Sequence, residues 1–101
     1  MWTEMSNQAI LLEIGKRLRE MRIRKNLQQK ELAELSGVSL TTVVRLEKGD
    51  AVTFEKMIRI LRTLDMLENL ELFIPKPPVS PILMRKLQGK KKIRVRKDGN
   101  E

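Results

Sequence analysis

The side chains able to do chemistry in this chain are few in kind. It contains no Cys and no His, which removes the thiolate and the imidazole, the usual nucleophile, general base and zinc ligands. Catalytic residues, a metal centre and a cofactor are therefore not expected. What remains is the chemistry of recognition. Between positions 28 and 48 the chain carries the amides of Gln28 and Gln29, the hydroxyls of Thr41 and Thr42, the guanidinium of Arg45 and the ammonium of Lys48. Guanidinium groups suit paired acceptors on a base edge, whereas amides, hydroxyls and ammonium groups hold phosphate oxygens; an apolar side chain such as Leu40 suits a thymine methyl.

Such groups recognise anything only if rigid elements aim them. The stretch QKELAELSGVSLTTVVRLEKG, Gln29 to Gly49, predicts two short helices joined by a tight turn. Leu32, Ala33 and Leu35 lie on the first, which should stop at Gly37, a residue free to adopt the left-handed helix-ending conformation. Ser39 is placed to cap the second helix by accepting from the N–H of Thr41 or Thr42, and Gly49 ends it. With Leu32, Leu35, Val43 and Leu46 facing inward, Leu40, Thr41, Thr42 and Arg45 are left on the outward face, beginning at the N-terminus of the second helix. That is where a helix lying in a DNA major groove meets base edges.

Gln29, Ala33, Gly37, Val38, Ser39, Val43, Leu46, Glu47 and Gly49 together resemble the pattern of the lambda-repressor/Cro-type (XRE) helix-turn-helix family, over roughly residues 10 to 72. The likeness is specific because the small Ala, the turn Gly and the inward apolar positions are jointly constrained by packing two helices at a steep angle. It implies an all-α, five-helix domain and a double-stranded DNA operator as partner. Leu40, Thr41 and Arg45 would read bases, and Gln28, Gln29, Thr42 and Lys48 would hold phosphates, with Gln29 as the phosphate clamp. It also implies an ion pair between Arg22 and Glu47 that ties the first helix to the recognition helix.

The flanking segments supply the rest of that domain, expected over residues 7–74. From about Asn7 to Lys25, Leu11, Ile14, Leu18 and Met21 recur at the spacing of one helical stripe. Asn26 and Leu27 form the connection, and Gln28 or Gln29 opens the next helix, whose free backbone N–H groups can bind phosphate. Beyond Gly49, Thr53 is a good N-cap, with Val52 and Met57 placed as a hydrophobic staple. Phe54, Met57, Ile58, Leu61 and Leu64 form the expected inward stripe of the fourth helix. A further start signal at Asp65, three residues before Glu68, predicts a short last helix with Met66, Leu67, Leu70, Phe73 and Ile74. That is more apolar surface than a small core covers, so Leu67, Leu70 and Phe73 are expected to hold a homodimer. Trp2 has no periodic partner and suggests no role.

Charge separates the body from the tail. Of a formal net charge of +8, residues 75–101 hold nine Lys and Arg against two acids, leaving the body nearly neutral. Pro75, Pro77 and Pro78 mark the end of the globular part. Ser80 and Pro81 then read as the start of a short amphipathic helix through Leu87, followed by a basic run, Lys90 to Arg96, that suits a strand or a basic arm. This stretch resembles the tail of HipB-like antitoxin regulators. The expected function is accordingly an autoregulating DNA-binding repressor of a toxin–antitoxin operon. The competing expectation is a protein-interaction module that neutralises a HipA-like kinase toxin by direct contact. No apolar run approaches the ~20 residues of a membrane span, so the expected compartment is the cytoplasm.

Overall fold

A computed structural model describes residues 1–78 together with 85 and 86. Among the described residues the structure is all-helical, with five α-helices: α1 (Asn7–Arg24), α2 (Gln29–Ser36), α3 (Leu40–Lys48), α4 (Phe54–Thr63) and α5 (Leu70–Phe73). Short 3-10 helices occupy Trp2–Glu4 and Leu67–Asn69. The amphipathic helix and the basic run expected between Ser80 and Arg96 lie outside the described residues, apart from Arg85 and Lys86.

Local chemistry sets most helix ends. The hydroxyls of Ser6, Ser39 and Thr53 accept from the backbone N–H of Ala9, Thr42 and Lys56, so α1, α3 and α4 each begin with a satisfied donor. At α2 the capping runs backward: the Glu31 carboxylate accepts from the N–H of Gln28, 2.8 Å away. Gly37 and Gly49 end α2 and α3 at φ of 70° and 88°, the left-handed conformation in which a side chain is strained. Asn26 makes the turn from α1 to α2 in the same region, at φ 58°. Asp65, expected to start the last helix, is instead left-handed at φ 57°, and its carboxylate accepts from Lys25 Nζ at 2.6 Å. The chain therefore turns at Asp65, and a 3-10 turn and a four-residue α5 take the place of one continuous helix.

The core comprises Leu18, Leu32, Ala33, Val43, Leu46, Ile60 and Leu64, with Ile14, Met21, Leu27, Val38, Val52, Met57, Leu61 and Met66 packed on it. Burying such side chains stabilises the fold by roughly 1.5–3 kcal/mol each. Two expectations need correction. Leu35 does not face inward: it is 66% exposed, because α2 meets its neighbours through Leu32, Ala33 and Ser36. In α4, Ile60 is fully buried whereas Phe54 is half exposed. The inward stripe of that helix is thus rotated toward Ile60 and Leu64.

The recognition pair is held from behind by α1. At the crossing, a Cβ on Gly15 would lie 2.3 Å from the Leu46 carbonyl oxygen and 3.0 Å from that of Glu47. Only a residue without a side chain lets α1 and α3 approach so closely.

Candidate nucleic-acid interface

The surface of α3 is divided by burial. Thr42, Val43 and Leu46 face the core, and Leu40, Thr41, Arg45 and Lys48 face solvent. Leu40 is 45% exposed although its side chain is apolar. This places Leu40 and Thr41 in the first turn and Arg45 one turn further along, on the side that α1 and α2 leave open. The Arg45 guanidinium leans back onto the carbonyl of Ala51 at 3.4 Å, a long and exposed contact that costs little to release.

Thr42 borders that face but is set deeper than its neighbours. It is only 7% exposed, and its hydroxyl lies 2.9 Å from Ser39 Oγ while its N–H donates to the same oxygen. Its oxygen is engaged at the helix cap, so a phosphate contact from Thr42 runs against its burial. Thr42 serves to fix the start of α3.

Gln29 lies at the N-terminus of α2 and is half-buried. Its Nε2 donates to Glu47 Oε1 at 3.0 Å. Glu47 in turn accepts from Arg22, Nε to Oε2 at 2.6 Å and Nη2 to Oε1 at 3.1 Å. Arg22 completes the set by donating from Nη1 to the Leu27 carbonyl at 2.7 Å. The two charged side chains are 10% and 4% exposed. A bidentate guanidinium–carboxylate pair with its remaining oxygen capacity used by an amide is the arrangement in which a buried charge pair is tolerated. It joins the C-terminal part of α1, the start of α2 and the end of α3. Gln28, beside it, is exposed.

One residue of the surface escaped the reading of the sequence. Lys56, in the first turn of α4, lines the same concavity as Thr41, Thr42, Arg45 and Thr53. Lys56 thus borders the open side of α3 from the next helix. The signal was the Thr53 cap: a helix that begins just after the recognition helix sets its first-turn side chains beside that helix.

The residues expected at a dimer interface are not among those that line this concavity. Leu67 and Leu70 are half-buried, and Phe73 is 66% exposed, next to Leu72 at 86% and Ile74 at 63%. The Phe73 ring sits 6.5 Å from that of Phe54, and both border an apolar groove with Leu11, Met57 and Leu70. Trp2, to which the sequence pattern assigns nothing, borders it too. Its ring lies under the Arg17 guanidinium, 4.8 Å from the centroid, a cation–π contact that anchors the N-terminal turn.

Among the described residues no helix is long and apolar enough to cross a membrane. Comparison with known proteins adds three findings. The family model for helix-turn-helix domains, HTH_3, matches residues 18–68. Among solved structures, the chain is similar to the restriction-modification controller protein C.AhdI from Aeromonas hydrophila. The TM-score is 0.57 and the sequence identity 35%, covering 60% of this chain and 94% of that one. No curated protein matches the chain.

Proposed function

The chain belongs to the helix-turn-helix family HTH_3 and is a DNA-binding regulator, and we propose that it represses transcription by binding a specific double-stranded operator as a homodimer. The observation that supports this most is the exposed face of α3. Leu40, Thr41 and Arg45 stand out from a helix whose opposite side is locked into the core, so the side chains suited to base edges are the ones left free. Leu40 takes a thymine methyl and Arg45 the paired acceptors of guanine, each bidentate contact contributing about 1–3 kcal/mol of discrimination. Gln28, Gln29, Lys48 and Lys56 hold phosphates and set the register. Leu67, Leu70 and Phe73 join two copies, so that two α3 helices meet successive major grooves.

Two operon contexts are supported by different observations. The tail of the sequence favours a HipB-like partner of a kinase toxin, with the cytoplasm as its compartment. The likeness to a restriction-modification controller favours control of restriction and modification genes. Both contexts need the same interface.

Binding of purified protein to duplexes selected from a random pool, and to scrambled versions of them, tests the reading. Arg45→Ala should lose preference for the selected sequence, whereas Gln29→Ala should weaken binding to both duplexes alike. Equal weakening of both by Arg45→Ala would reduce that residue to a phosphate contact. Selection of no sequence at all would remove the repressor reading and leave the protein-interaction alternative.

A further inference from the structure

We propose that Glu47, a residue turned away from the DNA face, is a positioning residue for phosphate recognition, acting by holding the amide nitrogen of Gln29 where it can donate to Glu47 and to an incoming phosphate together. The inference deepens the DNA-binding reading and rests on it. Its basis is the hydrogen bond from Gln29 Nε2 to Glu47 Oε1 at 3.0 Å.

A glutamine amide is ambiguous. Turned one way it offers N–H donors to a phosphate, and turned the other it offers a carbonyl oxygen that repels one. An ionised carboxylate accepts and cannot donate, so Glu47 tolerates only the amide nitrogen of Gln29 facing it. One hydrogen of that nitrogen is committed to Glu47, and the second, which no other hydrogen bond among the described residues takes up on this partly exposed side chain, is available to an incoming oxygen. The orientation is thus settled before DNA arrives, which spares the complex part of the ordering cost of a rotamer-rich side chain.

Arg22 makes the arrangement workable. A lone carboxylate this close to a phosphate contact would repel the DNA backbone. Here Glu47 is neutralised by two charge-assisted bonds from Arg22, while Arg22 is itself held by the Leu27 carbonyl, at the connection into α2. The ion pair therefore does more than join helices: it presents an acceptor to Gln29 without presenting net negative charge to phosphate.

The experiment combines a double-mutant cycle with an observation on the free protein. In nitrogen-15 NMR spectra of the intact chain, the two side-chain amide protons of Gln29 should be well separated, with slowed exchange, and Glu47→Gln should collapse that signature. Glu47→Gln should also weaken binding to selected and scrambled duplexes by the same factor, roughly five-fold, the value of one hydrogen bond. In a Gln29→Met background the Glu47→Gln change should cost nothing further, since its effect runs through the amide. If Glu47→Gln does not fold, Glu47→Asp, which keeps the charge opposite Arg22 but withdraws the carboxylate, takes its place in the same cycle. Additive losses in the cycle, or an unperturbed Gln29 amide signal in the Glu47 variant, would overturn the proposal while leaving DNA binding intact. Failure of the unmodified protein to bind any duplex would overturn both.

Discussion

Replacing Arg22 by alanine should cost this protein more than any change on its outer surface. The substitution removes three hydrogen-bonding nitrogens and strands the Glu47 carboxylate, whose side chain is 4% exposed. Stranding one partner of a buried pair costs about 3–5 kcal/mol. A folded unit of this size has a stability on the order of 4–12 kcal/mol, at about 0.05–0.15 kcal/mol per residue. The variant should therefore lose a large fraction of its stability, and a melting temperature that moves about 4–8 °C per kcal/mol should fall by roughly 12–40 °C. Circular dichroism at 222 nm, followed through heat and urea, measures it. Replacing both partners together, Arg22→Met with Glu47→Leu, removes the stranded charge and should recover most of the loss. The double variant should still bind DNA poorly, because Gln29 has lost its acceptor. A loss below about 1 kcal/mol for Arg22→Ala, the range of solvent-exposed pairs, would refute the reasoning by showing that water already reaches the Glu47 carboxylate in the folded protein.

Other parts of the molecule should respond in their own ways. Gly15→Ala sets a methyl group against the Leu46 carbonyl oxygen and should destabilise by at least about 1–3 kcal/mol, as overpacking does; an unchanged urea midpoint would mean that α1 and α3 separate freely. Leu70→Glu places a charge in the apolar groove beside Phe73 and should give monomers with weak operator affinity, whereas an unchanged dimer mass in sedimentation would move the interface elsewhere. Truncation after Gln88 removes Lys90, Lys91, Lys92, Arg94, Arg96 and Lys97. For every phosphate that these side chains neutralise, the slope of log affinity against log salt should flatten by about 0.9, with the preference for operator retained; loss of binding to a kinase with no change in slope would make the tail a protein-binding segment.

What could be read from the amino-acid order alone was whatever depends on a few neighbouring residues. Gly37 and Gly49 as helix ends, Ser39 and Thr53 as caps, and the α1 stripe through Leu18 are settled by backbone sterics, by hydrogen bonds spanning three residues, and by a period of 3.6 repeated over about five turns. The joint spacing of those signals also pointed to the helix-turn-helix. Short helices defeated the same method. In the eight residues of α2, a period cannot distinguish a face through Leu32 and Leu35 from one through Leu32, Ala33 and Ser36, and only the partner helices choose between them. The same indeterminacy hid Ile60 in α4.

Tertiary structure decided everything that depends on groups far apart in the chain. Thr42 is buried because α3 rolls about its axis to seat Val43 and Leu46, which no local preference fixes. Gln29 meets Glu47 across a sequence separation of 18 residues, and Arg22 meets it across 25. The resemblance suggested that last pair, but no spacing could show that the amide joins it. Asp65 turns the chain instead of starting a helix, and its carboxylate meets Lys25, 40 residues earlier in the chain. Trp2 gains a place only when α1 brings Arg17 over its ring. Local order encodes where helices start and stop, because those free energies are set within a few residues. The orientation of a side chain at the surface of a helix is set by the packing of the whole core.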